Sequence, residues 1–218
     1  GETGVGMRQA LTGKTRQLFT PQVSKHRIFA WYDTYAFPAL IIVFARDDDY
    51  FFGVLHSYIH EIWSLRLGTW LGKGNDPRYT PTTTFETFPF PFTPGQEDFT
   101  DPRVQTIAAA AAALHAERDA WLNPPGITDQ SVLKKLTLTN LYNALSDLRA
   151  GKTLSRELFP FNGVAFVPRL RALHDQLDDA VLAAYGWSDL SGQLRTPAGD
   201  EELLSRLLAE NLRRAGGQ

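Results

Sequence analysis

There is no cysteine anywhere in the 218 residues and only one methionine. Disulfides, thiolate metal sites and a cysteine nucleophile are therefore excluded, and a cytoplasmic location is expected. Also missing is any apolar run of bilayer length. The run Phe37-Pro-Ala-Leu-Ile-Ile-Val-Phe-Ala45 falls well short of the roughly 20 residues a spanning helix needs. The opening residues show no basic-then-apolar leader, so no membrane insertion is expected. Neither sign of charge dominates: 22 basic residues stand against 24 acidic ones, a net charge of −2. Such a balance neither demands nor forbids a nucleic-acid partner. What is present is ordinary globular material, 43% hydrophobic and 21% charged. It is enough for one domain or two modest ones.

The chain changes character near Pro89-Phe-Pro-Phe-Thr-Pro94, where three prolines in six residues forbid regular helix. A boundary placed there gives residues 1–92, with 9 basic and 8 acidic side chains, and residues 93–218, with 13 and 16. In the first part Lys25–Trp31 and Ala39–Ala45 read as strands, the second apolar on both faces and so central in its sheet. Asp47-Asp-Asp49 supplies an N-cap and acidic first turn for one amphipathic helix reaching Leu67. Its inward face steps through Phe52, Leu55, Ile59, Ile62 or Trp63, and Arg66, and Gly68 ends it. Leu71–Arg78 reads as a loop, and a Thr-rich extended stretch follows to Phe88. In the second part helices are expected at 101–122, 128–148, 167–185 and 199–214. The expected fold class is α+β: a small mixed sheet with a long packed helix, then a mostly helical C-terminal domain.

Several motifs resemble chemistry that their neighbours deny. Gly1-Glu-Thr-Gly-Val-Gly-Met7 has the opening spacing of a phosphate loop, but Met7 stands where a lysine must reach the phosphates and Arg8 where a hydroxyl must hold Mg²⁺. Gly68-Thr-Trp-Leu-Gly-Lys73 has the wrong interval. Both read as loops. Asn123-Pro-Pro-Gly126 follows a helix and ends in glycine, where a base-holding Asn-Pro-Pro-aromatic loop follows a strand and ends in a ring; it reads as a helix stop. His56 and His60 have metal-ligand spacing on a helix but no third ligand nearby, so they read as core or interface histidines. Asp178-Asp179 on an amphipathic helix reads as one solvated acid beside its neighbour. No serine-nucleophile elbow is present.

One stretch points to binding. From Arg8 to Trp31 the bases Arg8, Lys14, Arg16, Lys25 and Arg27 occur with no acid among them and with His26, Phe19, Phe29 and Trp31 interleaved. Such a surplus neutralises phosphates while aromatics meet sugars or bases, and a solvated strand edge accounts for it equally well. Lys73, Arg78, Tyr79, Thr80 and Thr82 follow in a glycine-containing segment rich in donors.

Three motifs in order, Phe52-Gly-Val-Leu-His-Ser-x-x-His-x-x-Trp63, Arg78-Tyr-Thr80 and Phe85-x-Thr-Phe-Pro-Phe-Pro91, resemble the distal target-recognition region of MmeI-like (type IIL) restriction-modification enzymes. The second part is similar to the helical C-terminal region of the same proteins through Thr137-Leu-Thr-x-Leu-Tyr-Asn143, Leu177-Asp-x-Ala-Val-x-x-Ala-Tyr-Gly-Trp187 and Leu207-Leu-x-x-Asn-x-x-Arg214. The resemblance implies a fragment of a protein that methylates adenine N6 in duplex DNA with S-adenosylmethionine, many such parents carrying an upstream nuclease. The cofactor loop and catalytic motif of that family do not occur in these residues, so no methyl transfer and no cofactor are expected of the fragment itself. Base extrusion needs a separate surface to grip flanking duplex. That surface is expected here, contacting double-stranded DNA and packing on the parent's methyltransferase domain. By side-chain chemistry Lys14, Arg16, Lys25, Arg27, Lys73 and Arg78 rank as phosphate contacts, and Tyr79, Thr80 and Thr82 as candidates near base edges. The rival expectation is a helical protein-interaction module without DNA contact, its docking surface built from Trp121, Tyr142, Phe159, Phe161 and Trp187.

Overall fold

A short alternating segment, Gln17–Pro21 (β1), organises the first part of the chain. The computed structural model describes residues 2–33, 40–71, 76–154 and 163–216. Ahead of β1 lies a helix, α1 (Glu2–Ala10), where a loop is expected. β1 pairs antiparallel on one side with β2 (Ala30–Tyr32) and on the other with β3 (Ile41–Phe44), setting Leu18 opposite both Trp31 and Phe44. The apolar run expected at the centre of the sheet therefore lies at its edge. Its double-faced apolarity reflects side-chain packing of Phe44 against Phe29, Phe51 and Phe85, not a strand on each flank. Of the expected strand Lys25–Trp31 only its last two residues join the ladder.

Asp48 caps α2 (Asp49–His56), its carboxylate accepting the Phe51 N–H at 2.8 Å. The single helix expected to Leu67 is two. Ser57 adopts an extended conformation, donates from Oγ to the Val54 carbonyl at 2.7 Å and caps α3 (Tyr58–Leu67). A serine hydroxyl that competes for backbone partners breaks a helix without disturbing its apolar step, so the spacing looks continuous. Gly68 ends α3 where a Cβ would stand 2.6 Å from the Ser64 carbonyl oxygen and 2.8 Å from that of Arg78. Only glycine lets the next segment turn back so closely. That segment, expected as a loop, contains the antiparallel pair β4 (Thr69–Leu71) and β5 (Asp76–Arg78). Pro81 then starts a single helical turn, α4 (Pro81–Thr84), within the expected extended stretch.

Helices follow: α5 (Pro102–Leu122) capped by Asp101, α6 (Gln130–Leu133), α7 (Leu138–Arg149) capped by Thr137, α8 (Gly163–Tyr185), a 3-10 turn at Ser188–Leu190, and α9 (Pro197–Ala215) capped by Thr196. The expected helix 128–148 is thus divided, because the Thr137 hydroxyl accepts from Asn140 N–H and restarts it.

One apolar core crosses the change in composition at Pro94. Leu18, Phe29 and Phe52 from the first part pack with Ile107, Leu114, Leu177 and Leu207 from the second. A smaller cluster joins Ile28 to Trp121, Leu141 and Leu170. Residues 1–92 and 93–218 differ in element type among the described residues, but their packing is shared. Trp121 and Tyr142, expected on a docking surface, are buried, and Trp187 is half-buried and stacked on Tyr185. Phe159 and Phe161 lie outside the described residues.

Candidate nucleic-acid interface

The hairpin β4–β5 projects from the end of α3 and is extended by one more length of chain. Tyr79 N–H donates to the Gln22 carbonyl at 2.7 Å, and Val23 forms a bridge with Arg78. The residues after β1 therefore run beside β5, placing Lys25 at the hairpin's flank. Lys25 is exposed and its ammonium donates to Asn143 Oδ1 at 2.8 Å. Arg66 and Thr69 are exposed at the hairpin's base, and Trp70, across from Pro77, is 51% exposed. Neither Arg66 nor Lys25 has an ion pair among the described residues. Exposed indoles and cations without a carboxylate partner are the side-chain types that meet bases and phosphates.

The cations singled out from the sequence do not converge. Lys14 pairs with Asp47 at 3.0 Å; Arg16 pairs with Asp49 at 2.8 Å, donates to the Asp47 carbonyl and stacks 3.8 Å above Trp31. Both sit before β1, whereas Lys25 lies after it, and a five-residue strand separates such positions by roughly 17 Å. Arg27 is buried, which is at odds with a phosphate contact. Its guanidinium donates to Thr20 Oγ1, Pro21 O and Pro77 O, and burial lowers its pKa to about 10. Tyr79 is buried too. The Leu55 carbonyl, 2.9 Å from His60 Nδ1, makes that nitrogen the donor, so Nε2 of the neutral ring accepts from the Tyr79 hydroxyl at 3.1 Å. Arg27 lies 5.0 Å over the Tyr79 ring, and the pair clamps the hairpin to the core. Arg78 is half-buried and in β5; Thr80 precedes α4 and is half-buried; Thr82 is exposed. Lys73 lies outside the described residues. Sequence reasoning passed over Trp70 and Arg66. Trp70 sat inside a failed phosphate-loop motif and Arg66 completed an apolar step, so only their exposure distinguishes them.

Behind this surface lies a buried polar frame. Arg118 Nη2 donates to the Phe29 carbonyl at 3.0 Å and Nη1 to Tyr142 Oη at 3.1 Å. The same hydroxyl stands 2.8 Å from His56 Nε2 and 2.9 Å from His174 Nε2. Burial first, then the nearby guanidinium, hold His56 well below the usual histidine range, and burial does the same for His174. His56 and His60 thus serve separate hydrogen-bond sets. No group of three or more metal-ligating side chains occurs among the described residues.

Beside the frame is a cavity of about 210 Å³ lined by Arg27, Tyr58, Glu61, Arg149, His174 and Arg195, among others. Arg195 donates to Asp178 Oδ2 at 2.9 Å and stacks 4.1 Å over Tyr58. Burial raises the Glu61 carboxyl above the usual carboxylate range, against the pull of the arginines around it. No helix among the described residues is long and apolar enough to cross a membrane.

No protein-family model matches the chain, and no curated protein matches it. Among solved structures the fold matches that of the type IIL restriction-modification enzyme MmeI in complex with DNA, with a TM-score of 0.63 and 19% identity. The match covers 93% of this chain but only 22% of that one, so these residues span about a fifth of the protein whose fold they share.

Proposed function

We propose that the chain is the DNA target-recognition fragment of an adenine-N6 methyltransferase of the restriction-modification class, separated from its catalytic domain. The observation that carries this reading is the likeness of fold over 93% of the chain to a protein solved bound to DNA. In this reading the contact comes from exposed side chains on and around the hairpin: Trp70 in β4, Arg66 at the end of α3, Lys25 on the flanking segment and Thr82 on α4, with the half-buried Arg78 in β5. Lys14 and Arg16 join only by exchanging a carboxylate for a phosphate, an exchange that returns little net energy at the partly exposed positions they occupy. S-adenosylmethionine belongs in this reading to the parent protein. The buried frame of Arg118 and Tyr142 has a positioning role: it holds the hairpin side of the molecule on the helical side.

Binding of the 218-residue chain to duplex DNA, measured across a salt series, tests the reading. Affinity should fall with a log-log slope near −0.9 for each phosphate neutralised. Affinity that is absent, or independent of salt, overturns it.

A second reading has one observation in its favour. Leu208 and Leu212 stand four apart on α9 and are 52% and 61% exposed, an apolar stripe suited to the parent's methyltransferase domain or another protein. In that reading the chain is an interaction module without direct DNA contact, and Leu208→Asp should abolish partner binding while DNA affinity is absent from the start.

A further inference from the structure

Three guanidiniums and the Glu61 carboxylate line one cavity, with Asp175 and Asp178 beside it. The guanidiniums are those of Arg27, Arg149 and Arg195. Arg27 is committed to backbone carbonyls within the wall. Arg149 is held more loosely. Its Nη2 is buried with no hydrogen-bond partner among the described residues, and its ion pair with Asp175 is stretched to 3.9 Å. Arg195 approaches the same Asp175 oxygen at 3.9 Å with Nη1 while Nη2 holds Asp178. A buried guanidinium N–H without an acceptor is costly, and native structures retain such a group where a ligand or water completes it.

The backbone at Arg195 carries a second sign. Its φ is +66°, in the left-handed region that a side chain of this size seldom occupies. It is held there by its own N–H, which donates to Asp200 Oδ1 at 2.8 Å, and by the ring of Tyr58 beneath the guanidinium. Asp200 also accepts from the Tyr58 hydroxyl at 2.7 Å, so one carboxylate fixes both the backbone and the platform. Strain maintained by several contacts is characteristic of residues positioned for a ligand. On the opposite wall Ser146 and Arg149 share one face of α7, three residues apart, and Ser146 is exposed at the cavity lining.

From this geometry we infer that the cavity between α3, α7 and α8 binds a tetrahedral oxyanion of the phosphate class, gripped by Arg149 and Arg195 with the Ser146 hydroxyl as a further donor. Planar guanidiniums match two oxygens of such an anion at once. Within the cavity lining Glu61 is the opposing group: its charge lowers affinity, and removing that charge strengthens binding. Oxyanion capture here does not depend on the nucleic-acid reading, since the lining residues are distinct from Trp70, Arg66 and Lys25.

The experiment is calorimetric titration of the full chain with sulfate, ionic strength being held constant with chloride. Saturable binding at one site is expected. Arg149→Met should weaken it by about tenfold, the value of one lost charge-assisted contact, while Glu61→Gln should tighten it several-fold. Tightening is an effect that misfolding does not imitate, so the second variant keeps the test sharp if the first is unstable. Absence of saturable uptake by the unaltered chain overturns the inference. So does unchanged affinity in folded Arg149→Met, or weaker binding in folded Glu61→Gln. A short duplex added to the sulfate-loaded chain then separates the sources. Displacement of sulfate assigns the site to a backbone phosphate, and simultaneous binding of both assigns it to a free oxyanion; either supports the site.

Discussion

The Tyr142 hydroxyl stands 2.8 Å from His56 Nε2, joining α7 to α2 across 86 residues of sequence. Because Arg118 and His174 meet the same oxygen, one phenol closes a network that includes a buried cation and two neutral imidazoles.

Removal of that oxygen should be costly. Tyr142→Phe leaves several buried polar groups short of a partner, and a loss of about 1–3 kcal/mol is expected. Chemical denaturation measures it. The double variant with His174→Phe should lose less than the sum of the single losses, because both changes act on one network.

Acid should loosen the fold through the same residues. His56 and His174 are held well below the ordinary histidine value, and burial pushes His60 down to about 3. Their folded values lie below the unfolded one of about 6.5, so the unfolded chain binds more protons in that interval. Stability is therefore full above about pH 6.5 and falls as pH drops toward 3, by up to about 1.4 kcal/mol per pH unit for each histidine. The raised carboxyls of Glu61 and Asp178 act in the opposite sense above their unfolded values. His115 is lowered by burial as well, so four depressed histidines against two raised carboxyls predict a net decline between about pH 6.5 and 5. Urea midpoints across that range check it, and a midpoint that rises with acidity contradicts it.

Gly53 is where α2 meets α5 and α8. A methyl group there would stand 2.9 Å from both Ala111 Cβ and Ile107 Cγ2 and 3.2 Å from Leu177 Cδ1. Alanine improves helix propensity by about 1 kcal/mol, but overpacking a core costs about 1–3 kcal/mol. Gly53→Ala should thus be neutral to destabilising by as much as about 2 kcal/mol, in contrast to the gain expected at an exposed helical glycine. Thermal unfolding distinguishes the two.

For the hairpin, Lys25→Ala and Arg66→Ala should each reduce the salt slope of duplex binding by about 1 and weaken binding across all sequences. Both side chains are exposed, so stability should stay within about 0.5 kcal/mol. Trp70→Ala should weaken binding at equally small cost to the fold. Arg27→Ala should do the reverse, unfolding the hairpin side before affecting any specific contact, since its guanidinium is bonded to three groups inside the chain. Full DNA affinity in all three exposed-site variants would remove the hairpin from the interface.

Helices α5 and α9 were legible because their punctuation is local: Asp101 and Pro102 begin one, and the other carries its basic residues in the last turn before Gly216. The break at Ser57 was not legible, because the apolar step continues through it. The centre of the sheet was misread for a related reason. A run such as Ile41–Phe44 reports how much apolar surface is covered, while strand order depends on which segment finds partners on both sides, and that is β1.

The candidate site separates the two sources of information further. Residue chemistry selected cations and aromatics, and by itself it determined the α+β class, the limits of helices such as α5 and α9, and the stretch of chain in which basic side chains accumulate. Whether a given arginine faces water or a carbonyl was decided only in three dimensions. Arg27 and Lys25 are two positions apart, yet one is clamped beneath Tyr79 and the other is exposed. A side chain's charge is a local property, whereas its solvation depends on distant segments such as Pro77 and Asn143 that folding brings beside it.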